Sequence, residues 1–140
     1  MNSIGSRTKP HVLLVDANTG FRQALSDVLL VYFTSIDVEE ACNMSEALSK
    51  VECQRPNIVF IDLHLSGGSG LELTRDIKQV YKDIVIVILT IHNQLEYRQE
   101  AFRNGADFYI SKGDDSCMED ILVRIEEEMT KQIKNTGKKK

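Results

Sequence analysis

The sequence predicts an α/β domain, a parallel five-stranded sheet with helices on both faces. Short apolar runs alternate with stretches whose apolar residues recur at helical spacing. Residues 84–89 (IVIVIL) are apolar at every position, which suits a strand buried on both faces and so a parallel sheet. Turn and breaker residues separate the runs: Pro10, Asn18-Thr19-Gly20, Pro56, the glycine-rich residues 66–70 and Asn104-Gly105.

Each element follows from its own residues. Residues 1–10 are polar, carry Gly5 and end at Pro10, and read as a tail. Residues 12–15 form the first strand, bounded by Asp16. Asn18-Thr19-Gly20 offers an N-cap, and Ala24, Leu25, Val28 and Leu29 then mark a helix from Phe21 to about Tyr32. The second strand is placed at 35–39. Asn43 or Ser45 caps a helix through Ala47, Leu48 and Val51, stopped by Pro56. The third strand, 58–61, ends on Asp62. After the glycine turn, Leu71, Leu73, Ile77 and Val80 mark a helix ending near Lys82. The fourth strand is 84–89, closed by Thr90. A more polar helix over 95–103 has Ala101 and Phe102 as its inward residues and stops at Asn104-Gly105. The fifth strand, 107–111, ends at Lys112. The last helix runs from about Ser116 through Met118, Ile121, Leu122, Ile125 and Met129. One domain over 11–130 results, with a basic tail over 131–140. Right-handed crossovers make a doubly wound, flavodoxin-like sheet the natural topology.

Composition narrows the function. A chain of 140 residues, 42% apolar and 27% charged, is ordinary for one globular domain. A net charge of −4 argues against nucleic acid as a partner of the whole surface. The first ten residues lack the apolar core of a secretory signal, and no apolar run approaches the roughly 20 residues that span a bilayer. The expectation is a cytoplasmic chain without a membrane partner. Cys42, Cys53 and Cys117 are odd in number and scattered, and read as reduced thiols rather than a disulfide or metal set.

Strands of a parallel sheet all end at one edge, so Asp16, Asp62, Thr90 and Lys112 converge where such folds hold their ligands. Taken singly, an Asp after a strand is usually a turn former and a loop Lys is usually solvated. Four at matching strand ends point to a site. A carboxylate can accept a phosphoryl group as a nucleophile. Mg²⁺ held by one or two carboxylates lets that anion approach, and a lysine and a threonine hydroxyl can hold its other oxygens. Asp62, on a central strand, is the candidate acceptor, and Asp16 the candidate metal ligand.

These segments resemble the receiver domain of two-component response regulators. VLLVDANTGFRQAL is similar to the family's first strand, acidic loop and first helix. IVFIDLHLSGGSGLEL is similar to its phosphorylation strand and loop, VIVILT to its fourth strand, and NGADFYISK to its fifth. The resemblance runs from His11 to about Met129. It implies phosphorylation of Asp62 by a histidine kinase or phosphotransfer protein, with Lys112 contacting phosphate. Mg²⁺ would lie between Asp16, Asp62 and the backbone carbonyl of His64. Thr90 would be drawn to the phosphoryl group and Tyr109 turned inward, reshaping the face of the fourth helix, fifth strand and fifth helix for an output partner. It also allows a homodimer on phosphorylation and self-dephosphorylation tuned from His64 and His92, which otherwise read as ordinary loop histidines. The implied protein is a signalling switch rather than a metabolic enzyme.

Two departures stand out. The family usually carries two adjacent acids after the first strand, the second commonly a direct metal ligand. Here the pair is Asp16-Ala17, which predicts weakened Mg²⁺ binding. Lys112 is followed by Gly113, where many receivers have proline. Two alternatives therefore stay open: a phosphorylation-independent interaction module, on the strength of Ala17, and the receiver part of a DNA-binding regulator whose output domain lies elsewhere. The 140 residues hold no recognisable nucleic-acid-binding motif.

Overall fold

Hydrogen bonding along short apolar segments builds the frame on which everything else is hung. In the computed structural model the elements are β1 (His11–Val15), α1 (Thr19–Tyr32), β2 (Asp37–Ala41), α2 (Met44–Gln54), β3 (Ile58–Ile61), β4 (His64–Leu65) and β5 (Gly68–Ser69). There follow α3 (Gly70–Val80), β6 (Val85–Thr90), α4 (Leu95–Arg103), β7 (Phe108–Ser111) and α5 (Cys117–Lys138). The structure describes residues 9–138, with side chains to 131; of the tails read from the sequence, residues 1–8 and 139–140 lie outside the described residues.

Five strands pair in parallel in the order β2–β1–β3–β6–β7. The chain starts in the middle at β1, steps out to β2, then returns across β3 to build the other half. The order reverses between β1 and β3, and at such a switch point the crossovers part and leave a crevice beyond the strand ends. Registers Val15↔Ile61 and Ile61↔Ile88 bring three strands to the same level there.

Alternation along the strands feeds two cores. Leu13, Val15, Val59, Ile61, Ile86 and Ile88 face α2, α3 and α4, and pack with Ala47, Val51, Leu73, Ile77 and Ala101. Val12, Leu14, Ile58, Phe60, Val87 and Leu89 face α1 and α5, and pack with Leu25, Leu29, Ile121 and Ile125. Each large side chain buried in this way stabilises the fold by about 1.5–3 kcal/mol relative to exposure. The doubly wound arrangement read from the sequence is the one observed.

Several details differ. The second strand is Asp37–Ala41, not 35–39. It is an edge strand whose glutamates bond sideways, Glu40 to Arg22 and Glu39 to Lys50, so its apolar alternation is faint. In α1 the buried positions are Leu25, Ser26 and Leu29, whereas Ala24 and Val28 face solvent. The apolar pattern there is wider than the buried face, so periodicity alone mistook the stripe's edge for its centre. Val80, Phe102 and Met118 are likewise exposed. The loop after β3 also holds an unexpected two-residue hairpin, β4–β5, turning at Gly67 with a φ of 78° that disfavours any side chain.

Candidate functional site

Four strands deliver the site. Asp16 follows β1, Asp62 follows β3, Thr90 ends β6 and Lys112 follows β7. Backbone bonds lock these ends together: the Asp62 N–H donates to the Val15 carbonyl at 3.0 Å and the Lys112 N–H to the Thr90 carbonyl at 2.7 Å. The four residues anticipated from the sequence are therefore neighbours.

Asp62 lies just past the central strand, its side chain 16% exposed. Its Oδ1 accepts the Leu63 N–H at 2.9 Å, and its Oδ2 lies 4.0 Å from the Lys112 ammonium. Burial raises the Asp62 carboxyl above the usual carboxylate range. Lys112 pulls it back down, the Asp16 charge raises it, and the Thr90 hydroxyl and Leu63 N–H lower it by hydrogen bonding. The result is a half-buried carboxylate that ionises reluctantly. Thr90 is fully buried, and its Oγ1 accepts the His92 N–H at 3.3 Å.

Asp16 is held from every side. Its Oδ2 accepts from Lys112 at 2.7 Å and its Oδ1 from the Asn18 N–H at 2.8 Å. Arg22 donates to its carbonyl at 2.6 Å while reaching Glu40 at 2.8 Å, tying the acidic loop to β2. Asn18 spends its side-chain oxygen on the Phe21 N–H as the cap of α1. Ala17 is exposed and offers no donor oxygen from its side chain.

A second layer of aromatic groups surrounds the mouth. The His64 and His92 rings meet edge to face at 4.4 Å, with Tyr97 5.2 Å from His92. Tyr109 points inward: it is buried, and its hydroxyl donates to the His92 carbonyl at 2.6 Å. Arg98 lies 5.4 Å over its ring. Burial raises the Tyr109 phenol, against which Arg98 works. Phe21, Arg22, Tyr97 and Arg98 went unnoticed in the sequence. The one available signal was Phe21-Arg22, a large ring and a cation directly after the acidic turn.

The donor set expected from the sequence, two carboxylates with the His64 carbonyl, is of the type that suits Mg²⁺ rather than a transition metal. Among the described residues no group of three or more His, Cys, Asp or Glu side chains is placed to hold a metal. A cation here would rest on Asp16, Asp62 and the His64 carbonyl, one side-chain acid fewer than a paired-acid loop supplies.

Known proteins share this fold. The family model of the response regulator receiver domain matches residues 12–125, and the chain belongs to that family. It is 34% identical over 101 residues to the DNA-binding transcriptional activator DevR/DosR of Mycobacterium tuberculosis, covering 72% of this chain and 46% of that protein. The crystal structure of a LuxR-family two-component response regulator from Aurantimonas is 29% identical, with a TM-score of 0.78 over 87% of this chain and 86% of that one. A response regulator from Burkholderia pseudomallei, solved with a phosphorylated aspartic acid, calcium ion and citrate, is 29% identical. Its TM-score is 0.73 over 81% of this chain and 65% of that one. The chain spans about half the length of the curated relatives it matches, 46–53% for the first three. Receiver domains are signalling modules rather than a catalytic enzyme family; they take phosphoryl groups from histidine kinases and generally bind Mg²⁺ at the acidic pocket. Among the described residues no helix is long and apolar enough to cross a membrane.

Proposed function

We propose that this chain is a phosphoacceptor receiver whose acceptor is Asp62. The observation that carries the reading is the placing of that carboxylate at the end of the central strand, with the Lys112 ammonium between it and the Asp16 carboxylate. A carboxylate oxygen of Asp62 attacks phosphorus while the bond to the donor histidine nitrogen breaks, and that nitrogen keeps the electron pair. Lys112 and Thr90 then hold phosphoryl oxygens. Mg²⁺, when bound, supplies neutralising charge between the incoming phosphoryl group and the acids. The Burkholderia relative, which carries a phosphorylated aspartic acid, supports the same role here.

Output would pass through the face of α4, β7 and α5. Exposed Ile91, Leu95 and Phe102 lie around Tyr109's end of it and offer apolar contact to a partner. The half-length match to transcriptional regulators supports a role as the receiver part of a larger DNA-binding protein, with the output domain outside these residues. His64 and His92 flank the acceptor and are proposed to screen it from water, slowing self-dephosphorylation.

Intact-mass analysis after incubation with a small phosphodonor tests the acceptor, with Asp62→Asn as control and Mg²⁺ titrated. The expected result is a single phosphoryl adduct, absent from the variant. An Ala17→Asp variant should reach half-modification at Mg²⁺ lower by about an order of magnitude, since affinity follows ligand charge and count. No adduct with any donor would remove the acceptor role and leave a phosphorylation-independent interaction module.

A further inference from the structure

Lys112 is the cation between the two site carboxylates, and its surroundings are unusually complete. The ammonium lies 2.7 Å from Asp16 Oδ2, 4.0 Å from Asp62 Oδ2 and 4.1 Å from the centroid of the Phe21 ring. The Asp62 distance is too long for a hydrogen bond, so one carboxylate and one aromatic face do most of the holding. The lysine side chain is only 12% exposed, which leaves little room for water to share the work.

We propose that Phe21 is a positioning residue for phosphoryl acceptance, acting through Lys112. This rests on the reading of Asp62 as the acceptor. The face of the ring, with the Asp16 carboxylate, fixes the ammonium beside the place where phosphoryl oxygens arrive. An aromatic face attracts a cation most strongly when both are shielded from water, as here. A lysine otherwise carries a flexible four-carbon stem and a tightly held water shell, both of which would have to be ordered or shed as the phosphoryl group enters. A prepositioned charge avoids that reorganisation at the moment of transfer.

The ring is itself anchored. The Phe21 N–H is bonded to the Asn18 cap at 3.0 Å, and its neighbour Arg22 is pinned to the Asp16 carbonyl and Glu40. The side chain also packs against the core beneath α1 and α5. Alanine at position 17 adds no further carboxylate, so Asp16 at 2.7 Å and the ring at 4.1 Å are the nearest groups holding the ammonium, with Asp62 at 4.0 Å beyond hydrogen-bond reach.

The test compares wild type, Phe21→Leu and Phe21→Tyr. Leucine keeps the apolar packing and removes the π face; tyrosine keeps the face. Thermal melting checks that both variants are folded. Phosphorylation by a small phosphodonor should slow roughly five- to tenfold in Phe21→Leu and stay within about twofold in Phe21→Tyr. In the unphosphorylated protein, NMR should find the Lys112 ε-protons shifted upfield by the ring in wild type and Phe21→Tyr, and at ordinary positions in Phe21→Leu. Equal rates in folded wild type and Phe21→Leu would overturn the proposal. So would unshifted ε-protons in the wild type, or a Phe21→Tyr rate as low as that of Phe21→Leu. If the wild type takes up no phosphoryl group, the acceptor reading fails and the rate effect falls with it. The ring-current shift, read without phosphate, still decides the Phe21–Lys112 contact on its own.

Discussion

Asp62 sits where its charge is least comfortable and most useful. Burial is the largest influence on its carboxyl and raises it, so ionising the group costs more in the folded chain than in the unfolded one. Above the folded pKa that cost weighs against the fold. As pH falls through the folded pKa the native state takes up the proton first and the cost shrinks; below the unfolded value both states bind it and the cost is gone. Asp62→Asn is therefore expected to melt above wild type at pH 7 by roughly 2–4 °C, about 1 kcal/mol in a domain of this size. The gap should close as pH enters the ordinary carboxylate range. Melting curves across that range check it, and a variant no more stable at neutral pH would contradict it. Asp16, Asp62, Thr90 and Lys112 were legible in the sequence because each ends a strand, and parallel strands end together. Phe21 and Arg98 were not, because a ring over a cation depends on how separate elements pack, which spacing along the chain does not encode.

Helices and turns reveal themselves by their ends. Asn43 accepts the Glu46 N–H at 2.8 Å while Glu46 accepts from the Cys42 N–H at 2.8 Å, and Ser69 caps α3 through the Leu71 N–H at 3.0 Å. Asn43 could be read in advance as a cap because short polar side chains compete for free helix N–H groups. The β4–β5 hairpin could not, since two residues a side carry no periodicity. Its neighbour Gly70 is more constrained than turn chemistry suggests: a Cβ there would stand 2.2 Å from the Asp62 carbonyl oxygen and 2.9 Å from Leu63 Cα. These are backbone atoms and have little room to yield. Gly70→Ala should cost about 1–3 kcal/mol, measured by denaturant unfolding, and should slow phosphorylation because the displaced loop carries Asp62, the proposed acceptor. Unchanged stability would mean that α3 can slide away from the loop.

For the molecule as a whole, topology was readable because burial on both faces leaves strands apolar throughout and helices striped. The stripe of α1 misled for the opposite reason: Val28, Val31 and Tyr32 stay exposed although nothing in their pattern separates them from core residues. Hydropathy reports a preference for burial, and the fold decides which preferences are met.

The position of Tyr109 has a consequence for signal amplitude. A modification can shift a conformational equilibrium only as far as the two states differ in their interaction with it. The ring already lies in its internal seat, donating to the His92 carbonyl with Arg98 over its face. If the inward form is dominant at rest, the module idles near its destination. On the proposed function, phosphorylation then has little travel left to drive at this residue, and the proposed output face stands partly presented beforehand. Hydrogen exchange of α4 and β7 should accordingly change by less than about twofold when Asp62 is modified, and more when Arg98→Ala first lets the ring leave. Such a domain has a high basal tone and a narrow dynamic range, closer to a dimmer set high than to a toggle.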